Sequence, residues 1–269
     1  MKKHFSYVLL LALMLSIFSL GYSATVQIGT GTGNTSAFPI TSVYGYTYSQ
    51  QIYTQEQINH AGEITKIRFW YVSGNLTNNR DWVIYLGHTQ KTSFASNSDW
   101  EPIVNLTQVF SGDILSMVPT GAGWMEITLT TPFPYNNTNN LLVAVDENTQ
   151  GYASMSWGGF TSGANTGLRF YSDNTNPDPT NPPTTGNNLS RSSTINRIQL
   201  VFPDTVPPLA PTLVSPVNGA QVYSGQALSW TLPAGSADAT GYDVYIDGTK
   251  VSDNQPSTSY TLSGLDTGT

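Results

Sequence analysis

The sequence predicts an all-β fold: a jelly-roll-like β-sandwich followed by a second, smaller sandwich. Three observations carry this expectation. Apolar and polar residues alternate with a period of two over short runs, the pattern of strands with one buried face. Clusters of Gly, Asn, Pro and Ser separate the runs, and no window sustains a helical period. Only 10% of the residues are charged while Thr, Ser, Asn and Gly are abundant, which suits sandwiches with long polar loops. Many short strands between turn signals favour a sandwich over a parallel α/β sheet.

The chain opens on a targeting segment. Lys2 and Lys3 precede an almost unbroken apolar run from Tyr7 to Leu20, and Gly21-Tyr22-Ser23 offers small residues where a signal peptidase reads them. Residues 1–23 are therefore predicted to be a signal peptide cut between Ser23 and Ala24. The run is short for a spanning helix, and no later segment is long and apolar enough, so no membrane span is expected after cleavage. There is no Cys, which removes disulfides, thiolate nucleophiles, Cys-based zinc sites and lipidation together. An exported chain without disulfides needs a full-sized core, and 269 residues less 23 leave 246 to build one. Without Lys2 and Lys3, eight basic residues face 17 acidic ones, a formal charge of −9. This acidic balance, with no cluster of Lys and Arg, argues against a nucleic-acid partner.

The first domain is expected over 24–202. Ile64 to Val72 alternates, with Ile67, Phe69 and Tyr71 on one face and Lys66 and Arg68 on the other. Trp82 to Leu86 follows the turn-like Asn78-Asn79-Arg80-Asp81. Later predicted strands are Met125 to Thr130, Leu141 to Val145, Leu168 to Tyr171 and Ile195 to Phe202. Asp173 to Asn188 has no large apolar residue and is expected to be a surface loop. Pro203 to Pro211, with four prolines, reads as a stiff linker with the boundary near residue 205.

Residues 207–269 carry a resemblance. A Pro-rich entry leads to Ala227-Leu228-Ser229-Trp230, then to Gly241-Tyr242-Asp243-Val244-Tyr245-Ile246-Asp247-Gly248, and then to Ser259-Tyr260-Thr261-Leu262-Ser263-Gly264-Leu265. In order, these resemble the early strands of a fibronectin type III domain, an immunoglobulin-like sandwich, with Trp230 where the second strand buries one. The resemblance implies that the module is incomplete at its C-terminus and that the protein is the front of something longer.

The first domain also resembles a known type of module. Ile84 to Thr89, Ser98-Asp99-Trp100, Gly123 to Leu129, Pro132-Phe133 and Asn140 to Asn148 look like an N-terminal β-sandwich module. Modules of that kind occur in large secreted surface proteins of Bacteroidetes-like bacteria, where they precede fibronectin type III repeats. The resemblance implies surface or secreted placement, a non-catalytic accessory role, and no catalytic residues to carry over.

The residues themselves give little catalytic signal. Beyond the signal only His60 and His88 remain, and there is no Gly-x-Ser-x-Gly elbow or His-Glu-x-x-His. His88 at a strand end reads as a surface histidine. A glycosidase needs two carboxylates about 5–9.5 Å apart. Asp146 and Glu147 are adjacent and point to opposite faces of a strand, while Asp99 and Glu101 would share a face but sit in a polar turn. Gly29-Thr30-Gly31-Thr32-Gly33 lacks a following Lys-Ser/Thr and reads as a flexible loop, not a phosphate cradle. The five Asn-x-Ser/Thr triplets, at Asn34, Asn75, Asn105, Asn136 and Asn188, read as accidents of composition.

No cofactor is expected apart from a structural Ca2+, for which Asp146, Glu147 and Asp173 are the weak candidates. The main functional expectation is a secreted or cell-surface module that binds extracellular polysaccharide or a surface protein. Tyr44, Tyr46 and Tyr48 would line one face of a strand, as a ligand stripe or as core. Trp100 and Trp157, in polar or Gly-rich context, are the expected exposed rings; Trp70, Trp82, Trp124 and Trp230 read as structural. The alternative is the accessory front of a secreted peptidase or glycosidase whose catalytic domain lies outside this chain.

Overall fold

The computed structural model describes residues 24–203, 211–217, 220, 222–232, 241–246 and 248–264. The expected signal peptide with its Ser23 and most of the linker lie outside the described residues. Two compact units are present, one of them Ser23–Pro203. The protein is all-β, built from antiparallel sheets without a barrel.

The larger unit begins with β1 (Ala24–Ile28), the two-residue β2 (Asn34–Thr35) and β3 (Tyr46–Tyr53). A short α-helix, α1 (Gln55–Ile58), is started by a capping box: Thr54 accepts from the Gln57 backbone and the Gln57 side chain accepts from the Thr54 backbone. Then come the long β4 (Gly62–Asn75), β5 (Asp81–Thr89), β6 (Thr107–Asp113), β7 (Gly123–Tyr135) and β8 (Asn140–Glu147). β9 (Ser154–Thr161), β10 (Gly167–Ser172), β11 (Leu189–Ser192), β12 (Thr194–Asn196) and β13 (Ile198–Phe202) complete it.

One sheet runs β1-β13-β4-β9-β12, with β7 also paired to β4 and β2 to β9; the other runs β11-β10-β3-β8-β5-β6. Their facing residues form one buried cluster. It joins Ile67, Phe69 and Tyr71 of β4 and Met125 and Ile127 of β7 to Trp82, Ile84 and Leu86 of β5 and Val143 and Val145 of β8. Strand alternation thus sends every second side chain inward, as the β4 pattern predicts. A second cluster lies on the outer face of the second sheet. There Tyr48, Ile52, Leu142, Ala144, Leu168 and Phe170 are covered by Phe94 and Trp100 from the β5–β6 connection.

The fold differs from the sequence expectation where polar strands are buried. β3 carries Thr47, Ser49, Gln50 and Gln51, all buried. Burial is tolerated because partners are present: Ser49 donates to the Pro39 carbonyl at 2.5 Å, and Gln50 donates to the Glu101 carbonyl at 2.9 Å. Gln51 accepts from the Asn196 backbone at 2.9 Å. Residues 173–188 are not purely a solvent loop, since Pro177 is buried and the Pro183 carbonyl accepts the Trp100 indole N–H at 2.8 Å.

The smaller unit has β14 (Thr212–Ser215), β15 (Ala227–Thr231), β16 (Tyr242–Ile246), β17 (Thr249–Gln255) and β18 (Ser259–Thr261). β14-β15-β18 form one sheet and β16-β17 the other. Leu228, Trp230, Tyr242, Val244, Ile246 and Leu262 make its core, with Trp230 edge-on to Tyr242 at 5.3 Å.

Candidate functional site: an aromatic platform on the outer sheet face

The two tryptophans that reach the surface, Trp70 and Trp124, are among the four that read as structural in the sequence. In β4 the outward residues are Lys66, Arg68 and Trp70; in β7 they are Trp124, Glu126 and Thr128. The register sets Trp70 opposite Trp124, and the two half-buried indoles meet edge-to-face at 5.1 Å. On the other side of β4, Arg197 lies over the Trp70 ring at 5.2 Å. Trp124 of β7, Trp70 of β4 and Arg197, between β12 and β13, therefore form one row.

A polar row runs beside it. Glu126 receives Lys66 Nζ at 2.6 Å and Arg68 Nε at 2.7 Å. Arg68 Nη1 donates to Gln199 Oε1 at 2.9 Å, and Gln199 Nε2 donates to Gln27 Oε1 at 3.1 Å. The chain of bonds crosses β7, β4, β13 and β1. Partial burial disfavours the charge on Glu126, but the bonds from Lys66 and Arg68 outweigh it and hold the carboxyl below its ordinary range. Glu126 is thus held as the carboxylate at neutral pH.

Two glycines make the platform possible. A Cβ on Gly158 would meet Arg197 Nη2 at 2.5 Å and Trp70 Cδ1 at 2.7 Å. One on Gly33 would meet the Gly159 carbonyl at 2.8 Å. Arg197 Nη1 donates to the Gly31 carbonyl at 2.5 Å and so holds the Gly29–Gly33 loop. That loop walls an open cleft of about 590 Å³, lined also by Asn34, Phe160, Thr161 and Thr194. The loop expected to be merely flexible is therefore a structural wall.

Several expectations need correction. Trp157 is fully buried, between Tyr71 at 6.0 Å and Trp82 at 5.8 Å. Its neighbour Gly158 leaves room for Trp70 and Arg197 on the outer face and does not signal exposure. Trp100 is also buried, against Tyr48 at 5.1 Å, because the Ser98-Asp99 turn is clamped by a Lys91–Asp99 ion pair of 2.7 Å. Tyr44, Tyr46 and Tyr48 form no stripe. Tyr44 precedes β3 and stacks on Tyr171 at 4.3 Å, Tyr46 is half-buried, and Tyr48 is core.

The carboxylates are dispersed. Asp146 and Glu147 are both buried and on opposite faces of β8, as strand geometry requires. Glu147 accepts from Asn79 and the Thr149 backbone; Asp146 Oδ2 accepts from Asn148, and its Oδ1 is buried without a partner. Burial raises each carboxyl to about 7, that of Asp146 with help from Asp178 and Asp81. Asp173 is exposed and accepts from the Gly45 backbone at 3.1 Å. Among the described residues no group of three His, Cys, Asp or Glu converges as a metal site. Asp99 is held by Lys91 and the Ala95 N–H, whereas Glu101 takes Thr89 and Asn105. His88 is half-buried on Phe133 and Tyr135, and its desolvated imidazole titrates below the usual range.

Comparison with known proteins found no match among protein-family models, curated proteins or solved structures.

Proposed function

We propose that this chain is a secreted or cell-surface interaction module, without catalysis of its own, that binds extracellular polysaccharide on the outer face of its large sheet. The observation that carries this reading is the Trp70–Trp124 pair, half-exposed on an antiparallel face and bordered by a hydrogen-bonded row of Gln, Arg, Lys and Glu. Indole faces stack on the C–H face of a pyranose, and adjoining amides and guanidinia bond its hydroxyls. The apolar N-terminal run supports export. The strand grouping of the smaller unit, β14-β15-β18 against β16-β17, supports the fibronectin type III reading of residues 207–269. The resemblance to front modules of bacterial surface proteins points the same way.

The test is titration calorimetry of the full chain against soluble polysaccharides, with Trp70→Ala and Trp124→Ala. Stacking is worth about 1 kcal/mol per ring, so each variant should lose about fivefold in affinity. Binding that survives both substitutions would move the site elsewhere.

A further inference from the structure

We infer that the polysaccharide taken by this face is anionic, its repeating carboxylate or sulfate held by Arg197 beside Arg68 and Lys66 while its rings lie on Trp70 and Trp124. This rests on the polysaccharide-binding reading above.

Arg197 is the reason. Among the described residues Arg169, Arg191 and Arg197 make no ion-pair contact with a carboxylate, but the first two are otherwise satisfied, Arg191 also lying close enough to Asp99 to lower its carboxyl. Arg169 donates to the Ser190 and Thr41 hydroxyls, and Arg191 to the Asn97 side chain and the carbonyls of Phe94 and Ala95. Arg197 has one acceptor, the Gly31 carbonyl, and its Nε is buried with none. Its charge is held in place by the Trp70 ring and the Gly31 carbonyl, yet nothing on the protein neutralises it. Partly buried charges are ordinarily paired; with Nε buried and Nη1 on the Gly31 carbonyl, Nη2 is the donor left for an anion that the protein does not supply. That N–H group can make a charge-assisted bond to an oxygen of a carboxylate or sulfate.

The surroundings agree. Lys66, Arg68 and Arg197 with Glu126 sum to a local charge of +2, in a chain whose formal charge is −7. Glu63 lies at the start of β4, away from the tryptophans. Because charges more than about 8 Å apart are largely screened at physiological salt, the face acts on its ligand more than the acidic remainder does.

Calorimetry of the full chain against polygalacturonate, dextran sulfate and neutral hydroxyethylcellulose tests this. At about 20 mM NaCl one charged polymer should bind about tenfold tighter than the neutral one, and at about 0.5 M NaCl that preference should shrink severalfold. The tighter of the two charged polymers identifies the anionic group. Arg197→Gln should cut the preference about fivefold or more. Equal binding of neutral and charged polymers, or a preference that persists in high salt, overturns the inference and leaves the polysaccharide reading standing. A folded Arg197→Gln protein with its preference intact does the same. Binding of none of the three polymers defeats both.

Discussion

Trp157 is wedged between Tyr71 of its own sheet and Trp82 of the facing one, so its truncation opens a cavity across both layers. Trp157→Ala should lower the unfolding free energy by about 3–5 kcal/mol. Trp70→Ala removes a half-exposed ring and should cost about 1 kcal/mol. Denaturant titration of the two variants checks the contrast, and equal losses would contradict the assignment of the rings. The sequence context misleads about both positions for one reason. Trp70 sits in an apolar, alternating run and reads as core, yet its parity in β4 turns it outward with Lys66 and Arg68. Trp157 sits among Ser and Gly and reads as exposed, yet Gly158 is small because Trp70 and Arg197 lie over it, and Gly159 because Thr194 and Thr35 crowd it. Local context reports neighbours along the chain, whereas burial depends on neighbours across it.

At the level of elements, β9 is a spacer as much as a strand. Gly158→Val should push Arg197 and Trp70 off their seats, since a Cβ there falls within 2.7 Å of both. These contacts are with side chains that can swing away, so binding should suffer more than folding. Polysaccharide affinity should drop about fivefold or more, with a stability loss of about 1–2 kcal/mol, read by calorimetry and denaturant titration. Unaltered affinity would show that the platform does not need this geometry. Strands with clean alternation, β4, β5 and β7, were legible in the sequence because one apolar face is enough to identify them. β3 and β9 were not, because their polar or glycine residues are accommodated by partners on distant segments such as Pro39, Glu101 and Asn196. The clustering of Lys66, Arg68 and Arg197 was hidden likewise, since β13 joins β4 from more than a hundred positions away.

For the molecule as a whole, the buried Asp146 and Glu147 set a pH dependence. Both carboxyls titrate near 7 in the folded state, far above their ordinary values near 4, so the native state binds more protons than the unfolded one between these limits. Their contribution to stability is fully present below about pH 4 and is lost as pH rises through about 7. His88, with its lowered value, works in the opposite direction below about pH 6.5, and Glu126 and Asp99 do so at more acidic pH. The two carboxyls outweigh one imidazole, so the unfolding midpoint should fall between pH 5.5 and pH 8. Asp146→Asn, which keeps the acceptor for Asn148, should flatten that slope and gain on the order of 2 kcal/mol at pH 8 relative to the parent. A variant as pH-sensitive as the parent would place the titration elsewhere. The edge-to-face contact of Trp70 with Trp124 has an optical side. Two indoles at 5.1 Å couple their electronic transitions, and this pair lies on the open face while the other four tryptophans of the chain are buried. A sugar laid on the rings, as proposed, would alter that coupling and shed water from them, so the platform carries its own chromophore for a label-free binding assay.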